Sequence, residues 1–330
     1  MIAFEPLDSR ERVRVVDLHP KLGDLKAEAA AGLRRSPKSL PCKYFYDSLG
    51  ARLFEAITEL PEYYPTRTEL GILDRSVHEM AEAIGSHATL VEFGSGVGLK
   101  TQKLLDALID PTGCVLIDIS REALEASAEQ LADRYEEMEI VAVCADYTQP
   151  LRVPRPHRPS SRTVAFFPGS TLGNFTHDEA QGFLARVAEL VGPGGGLLIG
   201  IDRQKDPKVI EAAYNDSVGV TAAFNLNILS RLNQMGANFD LAAFRHDAPY
   251  VESEGRIEMR LISEIDQTAR IGNTDVTFSK GEFIVTEHSH KYDLDEFEAL
   301  AGAAGFRLAR HWSDDRDWFS VCFLEVEGER

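Results

Sequence analysis

Between Val91 and Lys100 the sequence reads Val-Glu-Phe-Gly-Ser-Gly-Val-Gly-Leu-Lys, and this segment constrains the fold more than any other. Thr89 to Phe93 is mostly apolar and extended in character, while Leu99, Leu104, Leu105 and Leu108 recur at helical spacing. A buried strand therefore stops at a glycine-rich turn and feeds a helix. Gly94, Gly96 and Gly98 allow a tight turn and let a flat ligand approach without meeting a Cβ. The spacing discriminates between ligands. A dinucleotide fingerprint needs its third glycine five residues after the first, and that place is Leu99; the third glycine is Gly98. An ordinary strand-to-helix turn is the bland alternative.

Two later segments repeat the pattern. Cys114-Val115-Leu116-Ile117-Asp118 is a second buried strand ending in an acid. It lies twenty residues past Gly98, where a βαβ unit places the carboxylate that takes ribose hydroxyls. Val141-Ala142-Val143-Cys144-Ala145-Asp146-Tyr147 is a third, ending in an acid and an aromatic ring. A carboxylate accepts from an adenine amino group and a ring packs on the adenine face. Solvated acids at strand ends are common singly; three in register with suitable chemistry are not. An acid, any residue and then G-x-G-x-G, from Glu92 to Gly98, is the pattern of methyltransferases that use S-adenosylmethionine (AdoMet), a ligand with no pyrophosphate to seat. A nicotinamide dehydrogenase also wants an acid after its second strand, so the glycine spacing and Asp146-Tyr147 do the discriminating.

The 330 residues allow one large or two modest domains with a substantial core. Hydrophobic content of 44% and charged content of 27% belong to a soluble globular protein. A formal net charge of −18 argues against nucleic acid, whose binding needs clustered Lys and Arg. No apolar run is long enough to span a bilayer, and the N-terminus shows no secretory pattern. Cys42, Cys114, Cys144 and Cys322 have no metal-like spacing, and three of them sit in apolar strand segments. They read as reduced, buried thiols, and the chain as cytoplasmic.

The parallel-sheet pattern continues with a fourth strand, Thr163–Phe167, a helix over 177–191 and a fifth strand, Gly195–Ile201. Near the other end, residues 293–305 read as a helix, and Arg307–Trp312 and Trp318–Val326 as a closing hairpin. The expected fold is α/β: a seven-stranded, doubly wound methyltransferase sheet with one antiparallel strand and a second α+β substrate domain. Residues 205–290 break the alternation, with helices near 206–217 and 219–236 and strand-like runs at Arg256–Asp266 and Asp275–His288. The domains are drawn as 68–204 with 292–330 for the cofactor, 15–67 with 205–291 for the substrate, and 1–14 as an extension. Pro154-Arg155-Pro156-His157-Arg158-Pro159 reads as a structural loop.

From about Ser36 onward the chain resembles the histidine Nα-methyltransferases of ergothioneine biosynthesis, the EgtD family. The resemblance rests on Phe45-Tyr46-Asp47, on Leu60–Glu69 (Leu-Pro-Glu-Tyr-Tyr-Pro-Thr-Arg-Thr-Glu) and on Gly169–Phe175 (Gly-Ser-Thr-Leu-Gly-Asn-Phe). Gly219–Asn225 (Gly-Val-Thr-Ala-Ala-Phe-Asn) and Thr286-Glu287-His288-Ser289 complete it. It implies three successive methyl transfers from AdoMet to the α-amine of free L-histidine, giving hercynine. It also implies that Tyr63, Asn174, Tyr214, Glu287 and Ser289 contact histidine. Gly94, Lys100, Asp118, Asp146 and Tyr147 would contact AdoMet, and Tyr46 matches a family tyrosine near the reacting amine. Tyr46 and Asn174 are the expected catalytic residues. Tyr147 stands where the family commonly has phenylalanine; either ring can stack.

The residue types suit that chemistry. Glu287 and Ser289 are two apart on a strand, so they share a face. A carboxylate accepts from one imidazole N–H, and a hydroxyl serves the other ring nitrogen. Indole, with one donor and no acceptor, suits the pair less well, which disfavours the related dimethylallyltryptophan N-methyltransferases as a model for this chain. Asn174 follows the fourth strand; its bland alternative is to cap the helix that Thr176-His177-Asp178-Glu179 introduces. Tyr214 is helical, so a core role is the alternative, and in Glu62-Tyr63-Tyr64-Pro65 the sequence leaves open which ring faces the site. His288 points away from Glu287, and His288-Ser289-His290 has no third ligand in view, so no metal is expected. The expected partner is a small molecule, with no nucleic acid and no membrane, and the protein is expected to be a monomer. Another amine as substrate and a catalytically silent AdoMet-binding protein are the remaining alternatives.

Overall fold

The structure, a computed structural model, describes residues 13–20, 24–94 and 98–327. Ser95, Gly96 and Val97, the centre of the glycine turn, lie outside the described residues, as does most of the 1–14 extension. The described chain opens with β1 (Val13–Asp17), α1 (Leu25–Gly32), the short β2 (Lys38–Ser39), α2 (Ser48–Thr58) and the long α3 (Tyr64–Ile84). Pro65 sits in the first turn of α3, where its fixed φ and missing N–H cost nothing. Strands and helices then alternate: β3 (Ala88–Phe93), α4 (Leu99–Ala107), β4 (Gly113–Asp118), α5 (Arg121–Arg134) and β5 (Glu139–Cys144). The series ends with β6 (Arg162–Phe167), α6 (His177–Val191) and β7 (Gly196–Asp202). Every residue of β3, β5 and β7 is buried, as in parallel strands covered on both faces.

Next come α7 (Pro207–Tyr214) and α8 (Val220–Gln234), then β8 (Phe244–Asp247), β9 (Tyr250–Val251), β10 (Arg256–Ser263), β11 (Gln267–Ile271), β12 (Thr274–Phe278) and β13 (Phe283–His290). Last are α9 (Leu294–Ala303), β14 (Phe306–Ser313) and β15 (Phe319–Val326). Among the described residues the large sheet has the order β1-β5-β4-β3-β6-β7-β15-β14. β15 runs antiparallel to both of its neighbours, and the other pairings are parallel. The strand order turns back between β3 and β6, which opens a ligand crevice at their C-terminal ends.

Two expectations need correction. The large sheet has eight strands, not seven, because β1 pairs with β5 from Val13↔Ile140 to Asp17↔Cys144. Residues 15–17 therefore belong with the large sheet rather than with 15–67. β1 covers what would otherwise be the open edge of β5, an edge that invites aggregation. The second correction concerns Asp275–His288, which is two strands: β12 and β13 are separated by a turn at Ser279–Glu282.

The smaller sheet has the order β2-β13-β10-β8, with β9 beside β10. β2 pairs with β13 through Ile284↔Lys38 and Val285↔Ser39, so the segment before α3 joins the inserted one. The two share an apolar core that includes Leu33, Phe45, Leu229, Ile257 and Leu261, with Phe45 stacked on Phe224 at 4.5 Å. Two other apolar clusters surround the large sheet, one including Leu90 and Leu116, the other Val91 and Val115. Adjacent residues of one strand point to opposite faces, so these are the sheet's two sides.

The cap of α6 settles one alternative. Thr176 accepts from the Glu179 backbone N–H, and the Glu179 side chain accepts from the Thr176 N–H, which closes a capping box. Asn174 is thus not the cap. Thr176→Ala should lower the stability by about 1 kcal/mol, whereas Asn174→Ala should leave it near the wild-type value. Thermal melts of both variants check this; a loss in Asn174→Ala equal to that in Thr176→Ala would return the cap to Asn174.

Candidate active site

A cavity of about 190 Å³ opens where the loop after β6 meets β13, α7 and α8. It is smaller than the roughly 300–1,000 Å³ of pockets for drug-sized ligands and suits a single amino acid. Tyr46, Tyr63, Asn174, Tyr214, Glu287 and Ser289 all line it. Six positions scattered from 46 to 289 in sequence thus converge on one space.

Each is held by its own element. Tyr63 sits just before α3, where the Arg67 guanidinium donates to the Tyr63 carbonyl at 2.9 Å and the Leu60 carbonyl at 3.0 Å. Its ring meets Tyr214 edge-on at 6.1 Å. Tyr64 turns the other way and donates to both oxygens of Asp202, at 2.8 and 2.9 Å. The structure thereby decides between the two tyrosines: Tyr63 lines the cavity. Tyr46, 48% exposed, stands at the mouth, edge-on to Phe54 at 5.7 Å and Phe224 at 5.9 Å. Asn174 ends a short 3-10 turn, Thr171–Asn174, whose Gly173 carbonyl lies 3.1 Å from His290 Nδ1.

Glu287 and Ser289 stand opposite Met259 and Ile257 across the β13–β10 ladder. Burial pushes the Glu287 carboxyl up to about 7, against the opposing pull of Lys291. Ser289 Oγ is 2.7 Å from Tyr214 Oη. His288 turns to the other face, with Nε2 4.0 Å from Glu258 Oε1.

Of the residues expected at the cofactor, Lys100 alone lines this cavity; Gly94, Asp118, Asp146 and Tyr147 do not. These four stand in a row at the ends of β3, β4 and β5. Gly94 has φ +75° with open space where a Cβ would project, and its N–H donates to the Ile117 carbonyl at 2.9 Å. Asp118 Oδ1 accepts from the Ser120 N–H at 2.8 Å, and Asp146 Oδ1 from the Thr148 N–H at 2.9 Å. The Tyr147 ring lies edge-on to Phe93 at 5.9 Å and Phe167 at 6.0 Å, and burial pushes its phenol up. Glu92, the acid of the glycine motif, is buried and accepts from Thr101 Oγ1, which ties β3 to α4 across the turn; burial pushes it up to about 7.

Other residues organise the site without having been singled out in the sequence. Glu69, 1% exposed, pairs with the Lys100 ammonium and accepts from the Gly169 N–H at 2.9–3.0 Å. A Cβ at position 200 would come within 2.1 Å of Glu69 Oε1, so a side chain there would displace the Glu69 carboxylate. Asp202, at the end of β7, holds Lys205 and Lys291, the latter at 2.8 Å. Its backbone N–H donates to Ser170 Oγ at 2.9 Å, and Ser170 lines the cavity. Lys291 continues to Ser289 and Tyr214. The period of two that pairs Glu287 with Ser289 extends to Lys291, and this was the available signal. Glu69, Thr221 and Phe224 lie inside the motifs Leu60–Glu69 and Gly219–Asn225.

A parallel sheet with one antiparallel strand, a glycine-rich sequence after β3 and acids at or just past the ends of β4 and β5 are the features of the class of AdoMet-dependent methyltransferases. The profile of the histidine-specific, SAM-dependent methyltransferases matches residues 25–326, and the chain belongs to that family. It is 41% identical over 304 residues to the histidine N-alpha-methyltransferase of Mycobacterium tuberculosis, covering 90% of this chain and 93% of that one. It is 31% identical over 306 residues to ergothioneine biosynthesis protein 1 of Neurospora crassa, covering 88% of this chain and 34% of that one. The 4-dimethylallyltryptophan N-methyltransferase ifgB of Penicillium roqueforti is 28% identical over 326 residues, covering 91% and 94%.

The Glu287 shift has a consequence for stability. An acid whose pKa is raised in the folded protein costs nothing while both states are protonated, below about pH 4.5. The cost grows as pH rises and is complete above about 7. Glu287→Gln should therefore match the wild type near pH 4.5 and be more stable by about 1–3 kcal/mol at pH 8, with allowance for water in the open cavity. Melting curves at the two pH values check it; a gain independent of pH would remove Glu287 titration as the cause.

Proposed function

We propose that this protein transfers three methyl groups in succession from AdoMet to the α-amine of free L-histidine, giving hercynine, a step of ergothioneine biosynthesis. The observation that carries this reading is the pairing of Glu287 and Ser289 in the same small cavity as Asn174 and Lys100. An imidazole offers the carboxylate an N–H and the hydroxyl a second nitrogen. In this reading residues 15–67 and 205–291, less the β1 strand, form the substrate domain, and 68–204 with 292–330 the cofactor domain.

The donor set fits AdoMet. Asp118 and Asp146 offer carboxylates to ribose hydroxyls and the adenine amine, Tyr147 a ring face, and Gly94 an open approach. Bound AdoMet supplies a methyl group on a sulfonium, already activated for direct displacement by an amine. The protein's part is positioning and exclusion of water. Tyr63 and the Asn174 amide hold the amino-acid end, Glu287 and Ser289 hold the ring, and Tyr214 meets histidine beside Ser289. An α-amine of pKa about 8 is roughly nine-tenths protonated at pH 7, a penalty of only about 1.4 kcal/mol, so no strong base is needed. Tyr46 at the mouth orients the amine and guides its proton toward solvent. The rings of Tyr46, Tyr63, Phe54 and Phe224 favour the increasingly methylated cation. The chemistry calls for no metal. Four free thiols suit a reducing cytoplasm, and the enzyme is read as a monomer. Among the described residues no helix is long and apolar enough to cross a membrane.

Mass spectrometry of the protein incubated with AdoMet and all common amino acids tests the reading. Trimethylation confined to histidine is the expected result; methylation of tryptophan instead would overturn the substrate. Glu287→Ala should weaken histidine binding by roughly 1.5–3 kcal/mol, the scale of one charge-assisted hydrogen bond, while AdoMet binding stays near normal. Equal loss of both ligands would assign Glu287 to folding. Tyr46→Phe should slow at least one of the three transfers, and normal rates for all three would end its proposed role.

A further inference from the structure

Behind Ser289 lies a chain of groups that decides where its proton points. The Lys291 side chain is fully buried. An ammonium has three donors, and three acceptors surround this one: Asp202 Oδ2 at 2.8 Å, Ser289 Oγ at 2.8 Å and Tyr214 Oη at 2.9 Å. All three protons are committed. Ser289 Oγ and Tyr214 Oη are themselves 2.7 Å apart, so one donates to the other while both accept from Lys291. A phenol is the stronger acid and its oxygen the poorer acceptor, so Tyr214 is the donor. Ser289 Oγ then accepts two hydrogen bonds, and the cavity is the direction left for its own proton.

We propose that Lys291 is a positioning residue for substrate selection. Through its bonds to Ser289 and Tyr214 it fixes Ser289 as a donor into the cavity, so that Glu287 and Ser289 together select a ring with one N–H and one bare nitrogen. The proposal rests on the histidine reading above and adds to it. A neutral imidazole meets both demands. An imidazolium or an indole would leave the Ser289 hydroxyl facing a donor or a carbon, and an unpaired buried polar group is costly. A serine free to rotate could accept as readily as donate and would tolerate the imidazolium. Lys291 removes that freedom.

The test is a binding cycle. Histidine and AdoMet are titrated separately into wild type, Ser289→Ala, Lys291→Met and the double variant. Each single variant should weaken histidine binding roughly 5- to 20-fold, with AdoMet affinity within about two-fold of wild type. The double variant should lose no more than about two-fold beyond the weaker single, because both act through one hydroxyl. Losses that multiply in the double variant would overturn the proposal. Lys291→Met leaves Asp202 short of a partner, so Asp202→Asn/Lys291→Met, which removes both charges, stands in if the single variant does not fold. A measurement on the wild type needs no variant: an alanine bearing a 3-pyrrolyl ring has an N–H and no acceptor. It should bind at least about ten-fold more weakly than histidine, and equal binding would overturn the proposal. Wild type that binds AdoMet but not histidine would bring down the substrate reading itself, a failure visible before any variant is made.

Discussion

The buried carboxylate of Asp202 is the contact on which the two halves of the site depend. It ends β7 of the large sheet and receives Tyr64 from the start of α3, Lys205 from the next segment and Lys291 from just past β13. Burial raises the carboxyl's pKa, and Lys291 and Lys205 together overcome that and hold it below the ordinary carboxylate range. Such a cluster is not an economical source of stability, since apolar residues of the same volume often do as well. Removing one partner is another matter, costing about 3–5 kcal/mol for a buried pair. The value of the cluster lies in register: it lets one arrangement of α3, β7 and β13 satisfy every charge. Tyr63, Ser170, Tyr214 and Ser289 all sit beside members of the cluster and inherit its geometry.

A second buried carboxylate does the same beside Lys100. Glu69 binds the Lys100 ammonium and the Gly169 N–H, joining α3, α4 and the loop after β6. α3 therefore carries both anchors, Tyr64 at its start and Glu69 one turn later. The sequence Tyr63-Tyr64-Pro65-Thr66-Arg67-Thr68-Glu69 is thus less a binding motif than a bracket. Only Tyr63 and its neighbours Pro65 and Thr66 reach the cavity wall; the rest holds the walls in place.

The parallel core was legible because parallel strands are apolar on both faces and their helices begin and end on recognisable residues. α6 spans 177–191 as expected, bounded by the Thr176–Glu179 capping box and Gly192. β1 escaped notice because five residues with an arginine among the valines carry no periodic signal; what makes them a strand is the open edge of β5. The break between β12 and β13 was hidden because the turn between them is short. Tyr46, Tyr63, Asn174, Tyr214, Glu287 and Ser289 were legible through the resemblance, and the cavity brings them together. Glu69 and Lys291 lay in or beside legible patterns, but their roles, and Asp202 altogether, were not legible, because a charged residue in a sequence reads as solvated. Its burial depends on partners far away in the chain, which no local pattern records.

In the proposed reading, alternate residues of one strand and its extension divide the work of recognising a ring. Burial raises the pKa of Glu287, and Lys291 is committed to Asp202, Ser289 and Tyr214. A ligand N–H facing the carboxylate relieves that penalty; an apolar ring does not. The cavity's aromatic walls, Phe54, Tyr63 and Phe224, offer ring faces that suit any flat ring. In the proposed reading the discrimination rests on β13. On this proposal the contacts at Asp202 and Glu69 fix the cavity, and a few side chains along one strand select what enters it.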